Sequence, residues 1–286
     1  MKRQQIILAG GGLLLLTALY FFGHTVPPKK NNIASREENA VPNGEKSIDI
    51  QDILKASSSR LSSAQISHLN RLLNSVGRGD VKNQQLRAYQ LLAGFWKDSV
   101  QDAFLPAAYY TAEAAKLENS EKSLTFAAQL FLVNLRGQDN PALKSWMAKQ
   151  AKELFERALQ LNPHSDSSKI GLGASYIFGS TANPQEVMQG IQQILEVVRR
   201  DSTNMYAQFI LGLGGVESGQ FDKAIERLTR VVRYQPDNIE AMLTLAEAYQ
   251  RKGDKPNAVK WYTASKNLIV NPEVNKEIDK RIKLLQ

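Results

Sequence analysis

The sequence predicts an all-α protein built as a solenoid of antiparallel helix pairs and tethered by one N-terminal transmembrane helix. Three observations lead there. Apolar residues recur at three- and four-residue intervals through most of the chain, with Gly, Pro, Asn and Asp as punctuation and no convincing alternating strand. The chain resembles itself when shifted by 34 residues near its C-terminus: Asn204 falls on Asn238, Ala207 on Ala241, Leu211 on Leu245, Gly219 on Gly253, Ala224 on Ala258 and Ile225 on Val259. And Ile6 to Gly23 runs 18 residues without a charge, just long enough to cross a bilayer core of about 30 Å as a helix.

The N-terminal elements follow in order. Residues 1–5 form a short basic tail, 6–23 the expected anchor, and 24–47 a polar linker with Pro27-Pro28 and Glu37-Glu38. A cleaved signal peptide is the competing reading. It requires small residues at the end of the apolar run, where this chain has Tyr20, Phe21 and Phe22. Basic residues flank both ends (Lys2 and Arg3; Lys29, Lys30 and Arg36), so the positive-inside rule nearly balances. A five-residue tail ahead of an anchor favours a cytoplasmic N-terminus. The expected location is therefore a single-pass inner-membrane protein with its domain in the periplasm.

Composition narrows the chemistry. There are 36 Lys+Arg against 28 Asp+Glu, a net charge of +8. The basic residues alternate with acids along helices, and no dense basic run with interleaved aromatics occurs, so no nucleic-acid partner is expected. Cysteine is absent, which excludes disulfides, thiol nucleophiles and zinc-cysteine sites. His24, His68 and His164 share no metal-ligand spacing. No nucleophile elbow or phosphate loop is present. Gly171-Leu172-Gly173 begins like a dinucleotide fingerprint, but Tyr176 stands where the third Gly belongs and no strand precedes it, so a tightly packed helix is expected. Arg78-Gly79-Asp80 spells an adhesion tripeptide, a three-residue match in a turn between helices. No cofactor, no metal and no enzymatic activity are expected.

In two stretches the repeat carries a recognisable signature. Leu211-Gly212, Gly219, Phe221, Ala224, Leu228 and Pro236 resemble one tetratricopeptide repeat; Leu245-Ala246, Tyr249, Gly253, Ala258 and Tyr262 resemble a second. The resemblance implies small residues where the two helices of a pair touch and large ones in the seams between pairs. Repeats are most regular at 204–268 and extend over 119–271. Upstream, Glu121 to Arg136 reads as a first helix with Ala151, Phe155, Ala158 and Pro163 in its second. Leu172-Gly173 and Tyr176 then read as a first helix with Gly190 and Ile194 in its second. The loop from Gly179 to Pro184 is about five residues longer than the family turn. Caps support these boundaries: Asn183-Pro184 with Glu186, Asp237 with Glu240, Ser62 with Gln65, Asn140-Pro141 and Asn271-Pro272. Residues 272–286 read as a capping helix. Residues 48–118 are helical, with helices expected at Ile66 to Val76, Asn83 to Phe95 and Pro106 to Leu117, as degenerate repeats or as an N-terminal cap.

The resemblance also implies a concave groove lined by the first helix of each pair, where partner proteins or peptide segments lie. The residues expected there are Ile170, Ala174, Tyr206, Phe209, Leu213, Glu217, Glu240, Leu243, Glu247 and Gln250. The Lys and Asn clamp of chaperone-binding relatives is absent. Apolar and aromatic residues beside acids suit a segment with apolar anchors and some positive charge. Amphipathic periodicity also allows Tyr206 and Phe209 to be core. The expected function is a non-enzymatic membrane-anchored scaffold. Two alternatives are an ancillary factor of a membrane machine (protein translocation or cytochrome maturation) and a small-molecule-binding or enzyme-subunit role for the groove.

Overall fold

The computed structural model describes residues 48–286 apart from 79–80, 100–102 and 180–182. The expected anchor, the linker and the Gly79-Asp80 part of the adhesion tripeptide lie outside the described residues. Among the described residues no helix is long and apolar enough to cross a membrane.

Thirteen helices and no strands are described: α1 (Ile50–Ser58), α2 (Ser63–Arg78), α3 (Lys82–Ser99), α4 (Phe104–Glu118), α5 (Glu121–Leu135), α6 (Pro141–Leu161), α7 (Asp166–Gly179), α8 (Pro184–Arg200), α9 (Met205–Glu217), α10 (Phe221–Tyr234), α11 (Ile239–Lys252), α12 (Lys255–Lys266) and α13 (Pro272–Leu285). Five antiparallel pairs, α3/α4 through α11/α12, pack in succession. The first helices α5, α7, α9 and α11 also touch one another in order. One continuous core runs from Ala108 to Ala248, with a smaller cluster at each end.

Local chemistry fixes the boundaries. Asparagine caps α6, α9 and α11: Asn140, Asn204 and Asn238 accept from the amides of Leu143, Ala207 and Ala241 at 3.0, 3.0 and 2.9 Å. Ser62 and Gln65 form a reciprocal box, with bonds of 3.3 and 2.8 Å. The expected box of Asp237 with Glu240 is replaced by the Asn238 cap, one residue on. Gly219 and Gly253 turn the chain within their pairs in the left-handed region, at φ of 75° and 89°.

Within a pair, small residues let the helices touch. A Cβ on Gly173 would lie 2.6 Å from the Gly190 carbonyl oxygen, and one on Gly190 would lie 2.4 Å from that of Gly173. Between successive pairs, one on Gly171 would meet the Phe155 ring of α6 at 2.2 Å. The Gly171-Leu172-Gly173 sequence is thus a packing feature of α7.

Between 48 and 118 the structure has four helices where the pattern expects three. The additional one, α1, buries none of its residues fully. The N-terminal cluster is aromatic: Phe95, Trp96 and Tyr110 are buried, and Tyr89 stacks on Tyr110 at 6.2 Å. Burial first, then the charge of Glu113, lifts Tyr109 to about 12; burial and the neighbouring tyrosines lift Tyr110 to about 12.

Gly190→Ala is expected to destabilise the fold by about 1–3 kcal/mol, read as a lower melting temperature. The raised tyrosine values favour the neutral phenol in the folded state. Their contribution to stability is therefore complete below the ordinary value of 10.0 and is lost as pH rises to about 12. Tyrosinate absorbance and circular dichroism followed together should show late ionisation coinciding with unfolding.

Candidate functional site: the inner face of the first helices

Helix α5 presents Phe126, Gln129, Val133 and Arg136 at spacings of three, four and three residues, which places them on one face. The opposite face supplies core residues Leu124, Ala128, Phe131 and Leu135. Phe126 is 60% exposed and Val133 75%. Arg136 occupies the C-cap of α5. Its guanidinium reaches Glu217, at the end of α9, and Glu240, in the first turn of α11, at 3.4 Å each. It also lies 5.6 Å from the centre of the Phe178 ring of α7. One side chain of the first of these four helices therefore touches the other three, so their shared face curves inward.

Tyr206 of α9 stands on the same face, 40% exposed. Burial raises its phenol above the ordinary value; a hydrogen bond with Gln129 of α5 acts against this, and the charge of Glu240 adds to it. Beyond Arg136, a cavity of about 270 Å³ is walled by Glu240, Leu243, Glu247, Val274 and Ile278. Glu247 pairs with Arg251 at 3.7 Å, and Gln250 accepts from the Tyr262 hydroxyl at 2.8 Å.

Of the residues expected to line a groove, Tyr206, Glu217, Glu240, Leu243 and Glu247 gather around Arg136 and this cavity. Gln250 is exposed near the end of α11. Ile170, Ala174, Phe209 and Leu213 belong instead to the continuous core, at 1%, 0%, 8% and 2% exposure. Their helices are packed on several sides, and α9 buries even Gln208. Sequence reasoning missed Phe126, Gln129, Val133 and Arg136. The available signal was the pair Phe126 and Val133, apolar residues on the opposite face to the core stripe of α5.

The face offers apolar contact, hydrogen bonds and ion pairs. Among the described residues no group of three or more His, Asp or Glu side chains could hold a metal ion. His68 meets the edge of Phe95 at 5.5 Å.

These features define an α-solenoid of antiparallel helix pairs with a curved inner face. Residues 216–273 match the family model described as tetratricopeptide repeat, and the chain carries tetratricopeptide repeats. Over 48 residues it is 48% identical to cellulose synthase operon protein C of Escherichia coli (strain K12); that stretch is 17% of this chain and 4% of the relative. Among solved structures it is similar to a tetratricopeptide repeat protein of Parabacteroides merdae, with 13% identity and a TM-score of 0.46, covering 82% of this chain and 98% of that one. It is also similar to MamA of Desulfovibrio magneticus, with 21% identity and a TM-score of 0.44, covering 64% and 94%.

Two partly exposed ion pairs contribute at most about 1 kcal/mol each. Arg136→Gln should therefore leave the melting temperature nearly unchanged. It should also leave the distance between spin labels at positions 133 and 247 unchanged, as should high salt in the unsubstituted chain, because the packed core sets the curvature.

Proposed function

We propose that the chain is a membrane-anchored scaffold that holds a segment of another protein along the inner face of α5, α7, α9 and α11. It works by binding rather than by catalysis. The observation that carries this reading is the composition of that face. Phe126, Val133 and Tyr206 are exposed beside Arg136, Glu217 and Glu240 on a surface already curved by packing. Exposed apolar groups rimmed by charge suit a segment with apolar anchors. A preformed concavity lowers the ordering cost of binding. An anchor at 6–23 would raise the local concentration of the partner at the membrane, so modest affinity suffices.

Photo-crosslinking in intact cells tests the face. A crosslinker at Tyr206 or Leu243 should yield a discrete partner adduct, and one at Arg233, on the exposed side of α10, should yield none. Adducts of equal yield from both sides would reject the inner face as the binding surface. Removal of residues 1–23 should release the chain from the membrane fraction; retention would reject the anchor.

A further inference from the structure

A second concavity lies between α3, α4 and α5, sharing Phe126 with the inner face. Its volume is about 510 Å³, within the range of small-molecule sites. The wall is apolar, built from Ala93, Trp96, Phe104 and Leu130, with Phe126 at the lip. Among the described residues of the lining, the one formal charge is Lys97, in the last turn of α3. Among the described residues no carboxylate lies within ion-pair distance of it.

Gly94 also lines this cavity. A glycine inside a helix costs about 1 kcal/mol relative to alanine. Gly171, Gly173, Gly190 and Gly212 offset that cost by close helix contact, since a Cβ on any of them would come within 2.7 Å of a neighbour. A Cβ on Gly94 meets nothing within 4 Å. Its missing side chain leaves space open instead of closing it. Trp96, a wall residue 1% exposed, has its indole N–H buried with no acceptor among the described residues.

We propose that this cavity binds a long aliphatic chain bearing a carboxylate, with the hydrocarbon against Gly94, Trp96 and Leu130 and the anionic head at Lys97. The apolar wall excludes a polar ligand, because burying unpaired polar groups is unfavourable. The Lys97 ammonium at the rim selects an anionic head over a cationic one. This proposal does not depend on the scaffold reading.

The test uses the full chain in lipid nanodiscs, titrated with a dibrominated stearate whose bromines quench indole on contact. Saturable quenching is expected, and Trp96→Phe should remove it although Trp146 and Trp261 remain. Gly94→Leu fills the cavity and should weaken binding by at least about tenfold, with an unchanged or raised melting temperature. Lys97→Gln should weaken it by about fivefold, and a brominated alkane of equal length should bind no better to the unsubstituted chain than to Lys97→Gln. Quenching that survives Gly94→Leu in a folded protein would overturn the site. If Gly94→Leu fails to fold, Phe126→Ala decides, being at an exposed position: about threefold weaker binding supports the site, and unchanged binding overturns it.

Discussion

Two helices of a pair can share a backbone-to-backbone contact only where neither carries a side chain at the crossing. Gly173 and Gly190 meet in this way, each with its α-carbon against the other's carbonyl oxygen. The later pairs use the same positions. Gly190, Ala224 and Ala258 follow one another at 34-residue steps, as do Gly212 and Ala246. Ala224, Ala246 and Ala258 are fully buried. Larger residues pack around these crossings: Ile194 lies over Gly173 and Leu228 over Gly212, and with Leu154 and Leu245 they have no exposed surface. A repeated crossing with repeated seams turns each pair by a similar amount against the last, and the accumulated turn produces the curved inner face.

Curvature then decides which residues meet. Arg136 and Glu240 are 104 positions apart and on the first and last of the four stacked first helices, yet they are within ion-pair distance. Their attraction is too weak to bend a solenoid, since partly exposed pairs contribute little. The packed core sets the bend and the ion pairs occupy the space it creates. Under the proposed function, a partner segment would meet a surface whose shape is already determined by the core, with charges that rearrange at small cost.

Much of this was legible in the sequence because repeat proteins are local. Helix starts came from Asn and Pro side chains acting within three residues, and the turns at Gly219 and Gly253 from a backbone need that only a few residue types meet. The choice between Asp237 and Asn238 as cap was not legible, because adjacent residues of the same capping class differ only in which φ/ψ the chain adopts. Nor was the division of the groove list. Leu243 and Phe209 have the same apolar character at the same helical period, but Phe209 lies on a helix enclosed by α7, α10 and α11, whereas Leu243 lies near the open end. Periodicity reports which face of a helix is apolar and is silent on how many neighbours surround it. Arg136 was hidden for a related reason: its partners come from the superhelix, not from its own repeat.

Helix glycines show the same boundary between pattern and structure. Gly94 and Gly173 are indistinguishable as letters, each an interior glycine in an amphipathic helix. In α7 the glycine removes atoms so that a neighbour can move in. In α3 no neighbour has moved in, and the space persists beside Phe126 and Trp96. The two outcomes differ in what stands across the gap: Gly173 faces Gly190 and Ile194 of its partner helix, whereas Gly94 faces the space beside Phe126 of the next pair. The α3/α4 pair therefore combines bulky aromatic packing on one side with an open concavity on the other, where Gly94 leaves room that no neighbour fills.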